Sequence, residues 1–119
     1  MLPKEARLRE DRDFKTAFAK GRSYKGDLIV VYVLPKRGGA IRFGFSTVRK
    51  IKTAIERNRL KRLLRESARK LLPCLQPGTD IVILAHARAV GASFEEISTE
   101  ANKLLARSGV LNACEERKT

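Results

Sequence analysis

Residues 42–67 read RFGFSTVRKIKTAIERNRLKRLLRES, and the period of their hydrophobic pattern changes midway. Over 42–47 apolar and polar residues alternate, which is typical of a strand with one buried face. From Leu60 onward leucines recur at spacings of three and four, which predicts a helix with one buried stripe. The stretch therefore predicts a strand, a loop, and a helix that begins somewhere between 52 and 58.

Both predicted elements separate an apolar face from a polar one. The apolar positions are Ile41, Phe43 and Phe45 on the strand and Leu60, Leu64, Ala68 and Leu71 on the helix. The polar positions are Arg42, Gly44 and Ser46 on the strand and Asn58, Arg62, Arg65 and Arg69 on the helix. Ile55 falls opposite the leucine stripe and Arg57 falls on it. The leucines are thus expected to anchor the helix to a sheet while the arginines form an outward row.

The positive charge of the chain is concentrated in this region. The 119 residues carry 26 Lys and Arg against 13 Asp and Glu, a formal net charge of +13, and residues 49–70 hold ten of the bases but only two acids. Such polarised charge favours a polyanionic partner, first nucleic acid and then an anionic membrane. A membrane is the weaker choice, because the helix has no broad aromatic face and its leucines are needed for the core.

The remaining composition limits the other classes of function. The apolar run at 28–34 is too short for a transmembrane helix or a secretory signal. Cys74 and Cys114 with one histidine do not supply a usual zinc site and indicate reduced thiols, so we expect a cytoplasmic protein. His86 is interpreted as a buried structural histidine. The paired acids Asp11/Asp13 and Glu95/Glu96 are interpreted as structural residues at helix starts.

The pattern of the whole chain predicts one α+β domain over 1–119, a two-layer sandwich of order αβββαβα. Asp11 is expected to cap the first helix, Gly21 to end it in a left-handed conformation, and Ser93 and Glu96 to form a capping box. The ordered core is expected over about 7–108, with a frayed tail at 112–119. Further expected elements are a short strand near 22–26, a strand at 28–34, a turn at 36–39, a hairpin partner of 28–34 at 40–48, a buried strand at 80–87, and a last helix that stops near Gly109.

Three aromatic residues could serve either the core or a ligand. Phe14 and Phe18 lie one helical turn apart, and Tyr32 lies in the strand at 28–34. Packing is the ordinary role for the two phenylalanines, and the alternative is a stacking platform for unpaired bases. The tyrosine hydroxyl needs a polar partner. The residues alone leave both roles open.

The stretch 42–67 resembles the signature block of the protein subunit of bacterial ribonuclease P. That family carries a Gly-Ile-Ser strand, basic residues, and Arg-Asn-x-x-Lys-Arg-x-x-Arg-Glu, which corresponds to Gly44–Ser46, Arg49 and Lys50, and 57–66 here. The resemblance extends to a Phe-x-x-x-Phe-x-x-Gly element ending at Gly21, the strand with Tyr32, and the Asp-Ile-Val strand at 80–82. At Val48, Arg49 and Lys52 this sequence differs from the residues usual in that family. These differences affect the loop that precedes the helix.

The resemblance implies a fold and a function. The fold would be like the second domain of ribosomal protein S5, with a left-handed β-α-β crossover. The protein would assist a catalytic RNA that removes the 5′ leader of precursor tRNA with Mg²⁺ held mainly by RNA, without catalytic residues, metal or cofactor of its own and without another protein or a membrane. The implied contacts to the catalytic RNA are Arg49, Lys50, Lys52, Arg57, Asn58, Lys61, Arg62, Arg65 and Arg69, and those to the leader are Phe14, Phe18, Tyr32 and Ser46.

Other functions share some of these features. A ribosome-associated or general RNA-binding protein would have the basic block without an aromatic groove. A DNA-binding protein is less favoured, because no helix-turn-helix pair brackets the basic helix. A protein nuclease would need clustered acids or histidines.

Overall fold

The computed structural model describes residues 11–35, 41–71 and 78–109. Their elements confirm an α+β fold of order αβββαβα, including the short strand predicted near 22–26. The turn expected at 36–39, the start of the core at 7–10 and the tail at 112–119 lie outside the described residues. The elements are α1 Asp11–Lys20, β1 Arg22–Lys25, β2 Ile29–Pro35, β3 Arg42–Thr47, α2 Ala54–Leu71, β4 Thr79–Ala85 and α3 Phe94–Ser108.

The four strands form one sheet in the order β1-β2-β4-β3. The predicted hairpin between 28–34 and 40–48 is therefore wrong, because β2 pairs antiparallel with β1 and β4, and β3 pairs parallel with β4. The apolar β4 takes a central place, where both of its faces are covered, and β3 with its polar face takes an edge. Helix α2 makes the crossover between the parallel strands, and its left-handedness stays a prediction.

The main core lies between the sheet and helices α2 and α3. Odd-numbered residues of β2, β3 and β4 point into it, as predicted for Phe43 and Phe45. Helix α2 contributes its predicted stripe, and α3 contributes four residues at helical spacing. The helix residues buried there are Leu60, Leu64, Ala68, Leu71, Ile97, Ala101, Leu104 and Leu105. These two helices and the sheet form the two expected layers, and α1 is added on the other face of the sheet.

Helix α1 lies on the opposite face of the sheet, against β2 and β4. Ala17 packs there with Val82, and Phe14 and Tyr32 flank the pair. We call this side of the sheet the front face. It carries the even-numbered residues of β2, β3 and β4, in agreement with the predicted polar side of β3.

The ends of the helices follow from local chemistry. The predicted capping box is present, since Ser93 Oγ accepts from the Glu96 amide and Glu96 accepts from the Ser93 amide. Gly109 ends α3 with a φ of 84°.

Gly21 at the end of α1 does not have positive φ, so the predicted left-handed terminator is wrong. Glycine is needed there because a Cβ would come 2.6 Å from the Ala17 carbonyl oxygen, which accepts the Gly21 amide hydrogen bond.

A buried ion pair ties α1 to the sheet. Arg42 Nη2 and Nε donate to the two carboxylate oxygens of Asp80 at 2.8 and 3.0 Å, a bidentate arrangement. Asp80 is only 2% exposed. Arg42 Nη1 also lies 3.7 Å from the carboxylate of Asp13 on α1. This cluster fixes the start of α1 against the front face, so it sets where the aromatic residues of α1 lie.

We predict that Arg42→Ala lowers the free energy of unfolding by about 2–3 kcal/mol, because it leaves the buried Asp80 carboxylate without its bidentate partner. The control is Arg62→Ala, which removes the same charge from an exposed position of α2 and should change stability by less than about 0.5 kcal/mol. Urea denaturation measures both. Equal stabilities for the two variants would contradict this role of Arg42.

Candidate nucleic-acid interface

Helix α2 presents a row of polar side chains away from the core. We call Asn58, Lys61, Arg62 and Arg65 the ridge; Asn58 and Arg62 are exposed, and Lys61 and Arg65 are half-buried. The residues that the structure describes provide no hydrogen-bond or ion-pair partner for the ridge side chains. The opposite side of the helix is fixed by Leu60 and Leu64, both fully buried. Three members of the row predicted from sequence, Asn58, Arg62 and Arg65, are thus held on a rigid support with their donors available, and Lys61 lies beside them.

Other bases of α2 are engaged within the protein. Arg57 Nη1 donates to the carbonyl oxygens of Ile51 and Lys52 at 2.9 and 2.8 Å, so it braces the loop that leads into the helix. This explains why Arg57 falls on the leucine side of the helical wheel. Its remaining N–H groups are available to an RNA, but the main contacts of the side chain in this structure hold the loop in place.

Two short-range ion pairs neutralise part of the helix. Arg59 bonds to Glu56 at 2.9 Å and donates to the Ala92 carbonyl oxygen at 2.7 Å, which ties α2 to the segment before α3. Arg69 bonds to Glu66 at 3.1 Å, and this hydrogen bond and charge hold the pKa of Glu66 below its usual value of 4.5. Arg69, predicted as an RNA contact, is therefore shared with an acid of its own helix.

The front face brings the three predicted aromatic residues together. The Phe18 ring meets Tyr32 edge-on, with centroids 4.8 Å apart and planes at 87°. The ring centroids of Phe14 and Phe18 are 6.5 Å apart. Phe14 also packs against the Ala17–Val82 pair. Phe14 therefore has a packing role, whereas Phe18 is 37% exposed. The two phenylalanines therefore differ in their surroundings, since Phe18 offers ring surface to solvent, and the stacking role stays a prediction.

The strand register places Ser46 on the same face as Tyr32. Ser46 pairs with Leu84, Leu84 with Val30, and Val30 with Lys25, so these four residues form one row across the sheet. Tyr32 lies in the neighbouring row, two strands from Ser46. At ordinary strand spacing their Cα atoms are about 12 Å apart. The two residues therefore lie on one face of the sheet without touching, and a trough between them stays a prediction.

A cavity of about 380 Å³ continues this face beyond the ends of β3 and β4. We call it the cationic basin, and four basic side chains line it with His86. None of the four has a hydrogen-bond or ion-pair partner among the described residues, and no acid is among the lining residues. The lining residues are Lys25, Gly26, Val48, Arg49, Lys50, His86, Ala87 and Arg88.

The basin was only partly found from the sequence. Arg49 and Lys50 were predicted as RNA contacts, but Lys25, His86 and Arg88 were not. His86 was placed inside a buried strand, and this is wrong, because β4 ends at Ala85 and His86 is half-exposed. The sequence did not predict the parallel pairing of β3 with β4. That pairing brings residues 48–50 and 86–88 to one edge of the sheet. Lys52 lies exposed in the loop between the basin and α2.

Residues 11–35, 41–71 and 78–109 also bear on metal binding and on membrane insertion. Within those ranges no cluster of three or more His, Cys, Asp or Glu is arranged to hold a metal ion. None of the helices found there is both long and apolar enough to span a membrane.

Comparison with known proteins identifies the family. The model of the family described as ribonuclease P matches residues 2–109. The chain belongs to the ribonuclease P protein family. It is 38% identical over 112 residues to the ribonuclease P protein component of Picosynechococcus, with 93% of this chain and 97% of that protein covered. It is 35% identical to the protein component of Shouchella clausii, with 92% and 91% covered.

Solved ribonuclease P proteins have the same fold. The Staphylococcus aureus protein superposes with a TM-score of 0.81 at 26% identity, covering 92% of this chain and all of that one. The Thermotoga maritima protein gives 0.76 at 30% identity, covering 85% and 96%. Family membership makes the chain a ribonuclease P protein component, a ribonucleoprotein subunit in tRNA processing, as the resemblance in 42–67 implied.

Proposed function

We propose that this protein component binds the catalytic RNA of ribonuclease P and the 5′ leader of precursor tRNA through different surfaces. The observation that carries the proposal is the division of polar surface between the ridge on α2 and the front face of the sheet. Helix α2 packs behind the sheet and α1 in front of it. The two surfaces can therefore engage two RNA segments at once.

The ridge is assigned to the catalytic RNA. Its cations have no internal partner in the described part of the chain, and each one that meets a phosphate releases a counterion from the RNA. Asn58 adds an amide that donates and accepts hydrogen bonds. Lys52 extends this surface, and Arg57 and Arg69 contribute only the donors that their internal partners leave available.

The trough between Phe18, Tyr32 and Ser46 is assigned to the leader. The exposed Phe18 ring can stack on an unpaired base, and the edge-on contact with Tyr32 keeps the ring in place. An aromatic platform of this kind does not read sequence, which suits leaders of varied composition.

The cationic basin is assigned to phosphates of the same single strand. Lys25 belongs both to the basin and to the row of residues that contains Ser46, so the two sites are continuous. We therefore propose that Arg49 and Lys50, predicted from sequence as contacts to the catalytic RNA, contact the leader instead. The basin also lies next to the loop that begins α2, so a strand held there would run toward the RNA bound by the ridge.

The cleavage chemistry is assigned to the RNA subunit. The surfaces described above offer binding groups rather than an acid–base pair, and His86 lies among four cations. Those cations disfavour a divalent ion, whereas RNA phosphates attract one. We therefore assign the Mg²⁺ ions mainly to the RNA, and the protein contributes binding and orientation of the precursor.

Reconstitution tests the proposal. The protein is mixed with its cognate catalytic RNA and a 5′-extended precursor tRNA at low magnesium, and cleavage at the mature 5′ end is measured. We expect the protein to restore cleavage and to cut nothing without the RNA. Cleavage by the protein alone, or no restoration, would contradict the proposal.

We predict that Arg62→Ala and Arg65→Ala each weaken assembly with the catalytic RNA. Each should reduce the slope of log affinity against log salt by about 0.9, the value for one lost phosphate contact on a duplex. Arg107→Ala on α3 is the matched control, since it removes the same charge from an exposed position away from the ridge. A slope that stays at the wild-type value in both ridge variants would remove the ridge from the interface.

We predict that Phe18→Ala weakens binding of precursor tRNA by about 1–3 kcal/mol, because one base loses its stacking partner. Binding of mature tRNA, which lacks the leader, should stay at the wild-type level. Val90→Ala, which truncates another exposed apolar residue, is the control. Equal losses for precursor and mature tRNA would show that Phe18 serves packing instead.

A further inference from the structure

Glu100 of α3 is bonded to the turn that joins β1 to β2. Its Oε2 accepts hydrogen bonds from the amides of Leu28 and Ile29 at 2.7 and 2.8 Å, and its Oε1 accepts one from Asp27 at 3.2 Å. A single carboxylate thus binds three consecutive backbone N–H groups more than 70 residues away in the chain. Such charge-assisted hydrogen bonds are stronger than neutral ones.

The turn is shaped to receive this carboxylate. The Gly26 amide donates to the Ile29 carbonyl oxygen at 2.9 Å, which closes the turn. A Cβ on Gly26 would come 2.5 Å from Glu100 Oε2, so glycine is what lets the carboxylate approach the backbone this closely. The turn and α3 are therefore held together at one point by a defined set of contacts.

The same turn forms a wall of the cationic basin. Lys25 and Gly26 line the basin, whereas Asp27 and Leu28 line a cavity on the α3 side. Leu28 connects the two sides through its own backbone. Its N–H donates to Glu100, and its carbonyl oxygen accepts from the amide of His86 at 2.9 Å. A continuous hydrogen-bonded chain thus leads from Glu100 through Leu28 to His86, which lines the basin.

We propose that Glu100 is a positioning residue for RNA binding in the cationic basin. Its carboxylate holds the turn at 26–29, and through Leu28 it holds His86, so that Lys25 keeps its place in the basin with Arg49 and Lys50. Glu100 does not line the basin and contacts no RNA. This inference rests on the proposed function of the basin.

Charge alone predicts the opposite effect of Glu100. A carboxylate near an RNA site repels phosphate, so its removal should strengthen binding of a polyanion. Positioning predicts that its removal weakens binding, because the basin cations lose their fixed separation. The sign of the change in affinity therefore separates the two explanations.

The test uses the reconstituted holoenzyme and a precursor tRNA with a leader. For Glu100→Ala at 0.1 M monovalent salt we expect the KM for precursor to rise about fivefold, the value of one lost phosphate contact on a single strand. The salt slope should fall by about 0.7. The single-turnover rate at saturating precursor should stay unchanged, since the chemical step does not use the basin. Damage to the fold alone would lower the active fraction and leave KM unchanged.

Three further variants serve as controls. Glu95→Ala removes the same charge from an exposed position on the same helix, and its KM should stay equal or fall. Glu100→Gln matches the charge of Glu100→Ala but keeps a carbonyl oxygen for Leu28 and Ile29, so it should restore part of the affinity. Ser93→Ala weakens the cap of α3 without touching the turn, and its KM should stay at the wild-type value.

Amide hydrogen exchange of the free protein tests the link without RNA. In Glu100→Ala the amides of Leu28, Ile29 and His86 should exchange about tenfold faster, while those of α2 keep their protection. A KM for Glu100→Ala that equals or lies below that of Glu95→Ala would overturn the inference, and so would unchanged exchange at His86. Failure of the wild-type protein to support cleavage would instead count against the proposed function.

Discussion

The parallel pairing of β3 with β4 is the constraint on which the other features depend. Parallel neighbours cannot be joined by a tight turn, so the chain must cross over, and α2 is that crossover. The crossover helix must bury one stripe against the sheet, and its leucines do so. Its polar residues are then forced outward, which creates the ridge. The same pairing ends both strands at one edge, where residues 48–50 and 86–88 meet to form the basin.

Several acids of the described residues bond within the protein, and none of them pairs with a cation of the ridge or the basin. Glu56 and Glu66 pair with arginines of α2 outside the ridge, Asp80 is buried with Arg42, and Glu100 binds backbone amides. A net charge of +13 costs self-repulsion, which these internal contacts offset only in part. A polyanion bound to the ridge and basin would relieve the remainder. Stability and RNA binding are therefore expected to be coupled through charge.

Sequence reasoning succeeded where hydrophobic period and local chemistry decide structure. The leucine stripe of α2, the alternation of β3 and the capping box at Ser93 depend on neighbours within one element, so the sequence contains their full signal. Pairing between strands depends on partners far apart in the chain, and the apparent hairpin at 28–48 suggested the wrong partner. The basin could not be predicted for the same reason, because it forms only where β3 and β4 pair. The polar row of α2 and the helical spacing of Phe14 and Phe18 could be predicted because each lies on a single helix, whereas the difference in packing between the two phenylalanines depends on the position of β4.

The number of cations in this protein does not by itself explain which of them can bind RNA. Arg57 and Arg59 carry the same charge as Arg62, yet they brace the loop before α2 and the segment before α3. Conversely, Glu100 carries the wrong charge for an RNA site, yet its bonds to the turn at 26–29 fix one wall of the basin. The cations of the ridge and the basin have no such internal contacts among the described residues, so their charged groups are available to a phosphate while the helix and the turn hold their backbones. Under the proposed function, selectivity among polyanions depends on where these cations are attached to the fold beside the aromatic side chains, because total charge attracts every polyanion alike.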